Sequence, residues 1–550
     1  MKKMLADKIN RALAALAADS GLEWPAAAKF MVEEPREAGH GHLAANAALV
    51  LAKTFRTNPR QLAEGIISRL DNSEGWLEKA EAAGPGFINF TLSIKWWAGA
   101  LADLLAAGDD YGRGTPQGRR VLVEFVSSNP TGPLHVGHGR GAAIGDALAR
   151  LLDRAGYQVT REYYINDAGR QMRLLGESVL ARMRELAGGV EPFPEDHYRG
   201  EYIRELAREA LTEKGSAALS RPETELTAEL TDFATRSILA GIKDDLDRFR
   251  VRFGADEWFS EKSLYAEGQV EKALAVLKHK GFVYEQDGAL WFKATAFGDD
   301  LDRVLIKSGG DKTYFAADLA YHWHKLQRGF DQLINIWGSD HHGYVPRLKA
   351  AVAALGHEPE ALSVLLVQFV SLVRDGRPVA MSTRAGEFVT LREVLDEVGP
   401  DAARFMFLTR SPDTTLDFDL NLARAQTRDN PVYYVQYAGA RIESILRRAG
   451  DRTDRAADLT LLIQPEETDL IKHLAAFPEL VETAARKREP HHLTAYLTAL
   501  ARQFHYYYGR HQVRTENDDL TEARLALCRA VRLVVRLGLD LVGVSSPDTM

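Results

Sequence analysis

The stretch VLVEFVSSNPTGPLHVGHGRGAAIGDALARLL, residues 121–152, decides the fold. It opens on a β-branched run, VLVEFV, apolar except for Glu124, as a buried strand requires. A loop with two prolines and Gly132 follows, and His138 sits where the apolar spacing predicts the start of a helix that Gly156 stops. A second strand is predicted in QVTREYYI, 158–165. Strand, helix and strand in this order make a βαβ unit, which implies a parallel sheet.

The same stretch carries chemistry. A helix N-terminus presents free N–H groups and the positive end of a dipole, so it attracts phosphate. Gly137 and Gly139 let backbone approach a ligand closely. His135 and His138, three residues apart, can donate hydrogen bonds to phosphate oxygens as charge builds up in a transition state. Other readings stay open. A His-x-x-His pair can bind metal, although no Cys or further His clusters beside it. The two rings can also be structural. Gly137, Gly139 and Ala142 fit a G-x-G-x-x-A dinucleotide fingerprint, although they lie well past the strand end and Glu162 stands mid-strand rather than at its close.

Working outward, 550 residues exceed one hydrophobic core and suggest about three to four domains. Hydrophobic residues make up 45% and charged residues 27%, a globular composition with no low-complexity tract. No apolar stretch approaches the ~20 residues that span a bilayer. In the opening MKKMLADKINRALAALAADSG, Asp7, Lys8, Asn10 and Arg11 interrupt the apolar run, so an amphipathic helix is expected rather than a secretory signal. Cys528 is the sole cysteine, which excludes an internal disulfide and a Cys-based zinc cage. A cytoplasmic location is expected. The net charge of −8 argues weakly against nucleic-acid binding without excluding a local basic face.

Before the first strand, GPGFINFTL (84–92) reads as a strand and GDDYGRGTPQGRR (108–120) as a linker. From about 185 to 295 the chain is charged, helical and irregular, an expected insertion in the sheet domain. QLINIWG (332–338) and SVLLVQFVSLV (363–373) return to the sheet. From about 425 onward the pattern is helical. Leu493, Tyr496, Leu497, Leu500, Phe504 and Tyr508 recur as one buried helix face. The expected domains are 1–112, 113–424 and 425–550. A second segment, SLVRDGRPVAMSTRAGEFVTLREVL (371–395), combines a strand, a tight RDG turn and a polar loop before a helix. Such a loop suits closure over a triphosphate, and an ordinary hairpin fits it equally.

HVGH and MSTRAG together resemble the HIGH and KMSKS signatures of class I aminoacyl-tRNA synthetases. YYINDAGRQM, YRGEYI, TYFAADLAYH, WGSDHHGYVPRLKA, MSTRAGEFVTL, GPDAARFMFL and DNPVYYVQYAGARI are similar, in order, to blocks of the arginyl-tRNA synthetases. GHLAANAALVLAK and GPGFINF resemble that family's extra N-terminal domain, and VSSPDTM its ending. The likeness implies a multidomain α/β protein: a Rossmann-like catalytic sheet with an insertion, an N-terminal α/β tRNA-binding domain and a C-terminal helical anticodon-binding bundle. It implies an enzyme that forms arginyl-adenylate from ATP and arginine, then passes arginine to the terminal ribose of its tRNA, with bound tRNA needed for the first step. ATP is expected with Mg²⁺ as its counter-ion rather than in a protein cage, no tightly bound cofactor or protein-held metal is expected, and the chain is expected to work as a monomer.

Residue roles come from the same likeness. His135 and His138 would stabilise the α-phosphate, and Pro130, Gly137, Gly139, Asp340, Met381 and Ser382 would join them at ATP. A guanidinium is planar, always charged and carries five donors, so it needs carboxylates. Glu124 closes the first strand, where α/β sheets bind ligands. Tyr314 and Asp318 share a face if their segment is helical. These match the family's side-chain ligands, and Asn129 and Asp340 its contacts to the substrate's α-substituents or the ribose; an exposed Asp318 salt bridge is the structural alternative. Asn46, Phe87 and Asn89, with Tyr433, Tyr434, Tyr437 and Arg441, would meet tRNA, the tyrosines by stacking or else as bundle packing. One departure stands out. Ala380 and Thr383 replace the loop's two lysines, and Gly132 stands where relatives place a compensating one. Arg384, helped by Arg374, Arg377 or Lys307, is expected to neutralise pyrophosphate instead.

Overall fold

The computed structural model describes the chain except residues 25–27, 36, 380–387 and 451–456. The expected class holds: a parallel-sheet centre lies between an N-terminal α/β unit and a C-terminal helical one. In the first unit the helix Lys2–Asp19 buries Leu5, Ile9 and Leu13, the amphipathic face its spacing demands. An antiparallel sheet comes next, in the order Val32–Glu33, Leu43–Ala45, Phe87–Leu92, Leu77–Ala83. Ser93 then caps the helix Ile94–Ala107 by accepting from the Trp96 N–H.

The central sheet has five parallel strands. In chain order its parts are β1 (Arg120–Glu124), α1 (Val136–Arg154), β2 (Gln158–Ile165), β3 (Trp258–Ser260), α2 (Tyr314–Gln327), β4 (Gln332–Gly338) and β5 (Leu362–Val367). The spatial order is β5-β4-β1-β2-β3. The chain therefore leaves β1 first on one side and later returns on the other, so the carboxyl ends of β1 and β4 flank a topological switch point. Glu124 is in register with Asn335 on β4 and Glu162 on β2, so the three side chains share one face. Helix α2 covers that face. Phe125 turns to the opposite face, where a Cβ on Gly145 would lie 2.2 Å from its ring, so α1 can pack this closely only with glycine there.

Two segments differ from the sequence reading. The stretch 185–295 is helical through Arg248, but it then supplies β3 to the main sheet and two strands of a small antiparallel sheet, Val283–Gln286 and Ala289–Phe292, which Arg303–Ile306 completes. The run 363–373 is not one strand. After β5 the Gln368 N–H goes to the Pro412 carbonyl, and Val370–Arg374 joins a separate sheet with Arg377–Pro378 and Leu416–Asp419. The RDG turn is a two-residue hairpin with Asp375 and Gly376 at φ 52° and 72°, the twist a tight β-hairpin needs.

Beyond it lie α3 (Leu391–Phe407), α4 (Pro431–Ala449), two shorter helices (Pro465–Ala475, Phe477–Lys487), α5 (His491–Arg510) and α6 (Asp518–Leu541). The expected α5 face is largely right, with Leu493, Leu497, Leu500 and Phe504 fully buried. Tyr508 is instead 36% exposed, and Tyr507 takes the inward place in the last turn. The tail after α6 returns to the sheet unit: Arg404 on α3, fully buried, donates to the Val542 carbonyl (2.9 Å) and pairs with Asp146 on α1 (2.5 Å). Among the described residues no helix is long and apolar enough to cross a membrane.

Candidate active site

Past β1 the backbone is strained. Val126 and Ser127 hold φ of 68° and 41°, unusual for a β-branched residue and costly without support. Support comes from β2: the Ser127 hydroxyl accepts from the Tyr164 N–H (3.1 Å) and donates to Glu124 Oε1 (3.1 Å), while the Tyr163 hydroxyl donates to the Ser128 carbonyl (2.9 Å). The loop then reaches α1, which begins at Val136 rather than His138. His135 is its N-cap. His135 Nδ1 accepts from the N–H groups of Gly137 (3.1 Å) and His138 (3.4 Å), and the His135 N–H donates to His138 Nδ1 (3.2 Å).

These bonds fix the chemistry of both rings. They stack at 3.6 Å and 24°. Burial lowers the His135 pKa, and burial with His135 alongside pushes His138 down to about 3. Both imidazoles are therefore neutral near pH 7. Since each Nδ1 accepts from backbone, each ring's one proton sits on Nε2. The pair thus offers two neutral N–H donors at a helix start. Gly137 makes room for this, as a Cβ there would lie 3.0 Å from the His135 ring. Gly139 does something else. The sequence reading faces it toward ATP, but a Cβ on it would lie 2.7 Å from Leu391 Cδ1, so its bareness serves the contact between α1 and α3. Pro130 is buried in the loop. A Cβ on Gly132 would stand 3.2 Å from the Tyr202 hydroxyl, which itself donates to the Thr131 carbonyl (2.8 Å). Tyr202 fills the space a lysine there would need.

The polar loop's key members, Met381, Ser382 and Arg384, lie outside the described residues. Residues 388–391, on its far side, are anchored on the histidine turn. The Phe388 ring meets His135 edge-on at 5.9 Å, the Val136 N–H donates to the Val389 carbonyl (3.2 Å), and the Leu391 N–H to the Leu134 carbonyl (2.8 Å). Thr390 then caps α3 in a reciprocal box with Glu393. Arg374 is engaged with Glu397 at 2.7 Å. Lys307 lies past the end of Arg303–Ile306, its N–H donating to the Asp311 carbonyl, and is not brought to this turn.

A second cluster gathers on the α2 side of the sheet, and it is acidic. Tyr314 and Asp318 stand one turn apart on α2, as expected, with Tyr314 59% exposed. Asp318 accepts from the Tyr344 hydroxyl; burial, then neighbouring Glu124, push its carboxyl up to about 6. Among the described residues no salt bridge occupies it. Glu261, only 3% exposed at the start of the short helix Glu261–Ala266 that follows β3, is pushed up to about 7 by burial and then by Asp318. The Tyr164 hydroxyl is raised by burial and then by Glu261, Asp318 and Glu124. Glu124 is 4% exposed and paired with Lys325 at 2.5 Å. Asp340 lies after β4 in an exposed turn, 3.7 Å from His341. Asn129 donates to Gln171 Oε1 (3.0 Å). Sequence reasoning missed Glu261, Tyr164 and Tyr344. Carboxylates that raise one another's pKa form a site that a bound cation would relieve.

The residues expected to meet tRNA separate into two kinds. Asn89 is 6% exposed on the strand Phe87–Leu92, which lies between two others, so as folded it offers almost no surface; Phe87 at its end is 42% exposed. Asn46 holds the Met31 N–H (2.8 Å). In the bundle, Tyr433 stacks on Tyr437 (6.1 Å), Tyr434 meets His505 (4.7 Å), and Arg441 donates to the Tyr437 hydroxyl (2.8 Å) while lying over its ring. This half-buried aromatic and cationic group also includes His505, which sequence reasoning did not single out. Among the described residues no group of three or more His, Cys, Asp or Glu is placed to hold a metal ion.

Known proteins agree with these parts. Residues 100–420 match the family model for the catalytic domain of class I (R) tRNA synthetases, 435–550 that for the DALR anticodon-binding domain, and 3–92 that for the arginyl-tRNA synthetase N-terminal domain. The arginine–tRNA ligase of Desulfovibrio desulfuricans is 52% identical over 99% of both chains, and that of Syntrophotalea carbinolica 50% identical over the whole of both. The solved arginyl-tRNA synthetase of Thermus thermophilus superposes with a TM-score of 0.78 at 26% identity, covering the whole of each chain.

Proposed function

Because this chain belongs to the arginyl-tRNA synthetase family, joining L-arginine to its cognate tRNA at the expense of ATP, we propose that the two clusters divide the substrates between them: the histidine turn takes the α-phosphate and the carboxylates take the guanidinium. The reaction runs in two steps. The arginine carboxylate attacks the α-phosphorus and pyrophosphate leaves; a hydroxyl of the tRNA's terminal ribose then attacks the adenylate carbonyl and AMP leaves. Negative charge grows on the α-phosphate oxygens in the first step, and the Nε2–H groups of His135 and His138, with the free N–H groups of α1, are the donors for it.

At the other end Asp318, Glu124 and Glu261 would face the guanidinium, with Tyr314 and Tyr344 beside it, while Asn129 and Asp340 would lie toward the α-substituents and the ribose. Met381, Ser382 and Arg384 would close over the pyrophosphate, and Mg²⁺ would accompany ATP as its counter-ion. Phe87, Tyr434, Tyr437 and Arg441 would contact tRNA. We further propose a cytoplasmic monomer with domains at 1–112, 113–424 and 425–550. The observation that carries the substrate division is the opposed chemistry: neutral donors on the α1 side, and on the α2 side buried carboxylates, Asp318 raised by burial and Glu124, Glu261 by burial and Asp318. The test is arginine-dependent ATP–pyrophosphate exchange with tRNA present. His138→Ala should lower kcat and Asp318→Asn should raise the arginine KM; the reverse pattern would overturn the division.

A further inference from the structure

Lys325 on α2 is fully buried, and so are its neighbours Asn335 and, at 2% exposure, His322. A buried ammonium is strongly disfavoured unless it is paired and its donors are met. All three donors here have a partner. One goes to Glu124 Oε2 (2.5 Å), one to Asn335 Oδ1 (3.4 Å), and the third faces the Tyr321 ring at 4.0 Å.

The chain of bonds has one direction. His322 Nδ1 can only donate to the Asp318 carbonyl (2.8 Å), so in the neutral ring Nε2 must accept from Asn335 Nδ2 (2.8 Å). Burial, then Lys325, hold His322 at about 3 and so keep it neutral. Asn335 must then turn its oxygen to Lys325, which leaves the ammonium aimed at Glu124, whose other oxygen takes the Ser127 hydroxyl (3.1 Å). Both ends of this chain are walls of the acidic cluster: the helical turn carrying Asp318 and the carboxylate of Glu124. A pair needed for packing alone could be replaced by apolar residues at little or no cost.

We propose that Lys325 is a positioning residue of the amino-acid pocket, fixing the rotamer and charge of Glu124 so that the pocket's uncompensated negative charge rests on Asp318 and Glu261, matched to one guanidinium. This rests on the reading of Glu124 as an arginine ligand. Glu124 then meets the guanidinium as a fixed acceptor whose charge Lys325 already balances.

The test uses the full-length chain in tRNA-supported exchange, with thermal unfolding alongside. Lys325→Met should raise the arginine KM about tenfold with the ATP KM unchanged. Asn335→Asp, which sets a second carboxylate beside the ammonium and draws it from Glu124, should raise the same constant in a variant that keeps the ammonium. Glu124→Gln combined with Lys325→Met should melt no lower than the wild type and bind arginine no worse than Glu124→Gln alone, because the two residues act through one group. Wild-type arginine KM in folded Lys325→Met or Asn335→Asp, with Glu124→Gln impaired, would overturn the positioning role and leave the ligand reading intact. An unchanged arginine KM in Glu124→Gln would remove the ligand reading, and the proposal with it.

Discussion

The α1 and α2 sides of the catalytic sheet handle charge in opposite ways. On the α1 side the proposed phosphate site carries no formal charge: two imidazoles kept neutral by burial and bound to backbone, at the N-terminus of a long helix. On the α2 side the proposed guanidinium site is a group of buried carboxylates, with Asp318 pushed up to about 6 and Glu261 to about 7. The difference stems from what each ligand brings. A phosphate carries its own charge and gains it in the transition state, so preoriented neutral dipoles stabilise it without a buried cation. A guanidinium never loses its proton, so its site must supply the anion and bear the cost of holding it dry while empty.

The contrast can be broken first at the histidines. His138→Ala removes a donor aimed at developing charge and should lower kcat by ~10²–10³ in the exchange assay, with little change in arginine KM. A change confined to KM would mean that the ring only shapes the pocket. The next effect is at Glu261. Glu261→Gln should raise the arginine KM by roughly 10- to 100-fold, the cost of about 1.5–3 kcal/mol for a lost hydrogen bond to a charged group, and leave kcat at saturating arginine nearly untouched.

A smaller effect is a pH signature. The empty site holds protons on Asp318 up to about pH 6 and on Glu261 up to about pH 7. A guanidinium favours both ionised forms, so bound arginine must release protons. Its affinity should rise with pH through that window and level off above it, which calorimetry across pH reads directly; Glu261→Gln should lose the upper part of the rise. The same raised values mean that the native chain binds more protons than the unfolded one between about pH 4 and 7, so these two groups make the arginine-free protein less stable as pH rises there. The least effect belongs to the α1 side. With His138 at about 3, saturated kcat should show no inflection from that ring between pH 6 and 9.

The two sides also differ in how far the sequence reveals them. His135, Gly137 and His138 lie within one helical turn, so their spacing alone sets the rings together and leaves only the cap position to be corrected. The acidic side is assembled across the fold. Glu261 arrives because Trp258–Ser260 adds to the sheet edge beside Tyr163–Ile165, a pairing that no local period announces. Tyr344 reaches Asp318 from the turn after β4. Gly139 misleads for a related reason: a bare glycine near a helix start serves ligand approach or helix packing equally well, and only the distant Leu391 decides between them. Asn89, taken from the family likeness, is only 6% exposed, which its place in a strand pattern does not announce. The βαβ unit, by contrast, is legible throughout, because a buried parallel strand and its crossover helix write their pattern in contiguous residues.

The acidic side can be tested by charge alone. Citrulline matches arginine in shape but replaces the guanidinium with a neutral ureido group. Equilibrium binding of both should be measured on the wild type and on Asp318→Asn. Selection by carboxylates predicts that the wild type strongly prefers arginine and that Asp318→Asn weakens arginine while leaving citrulline unchanged or improved. Equal weakening of the two ligands, or none, would contradict it.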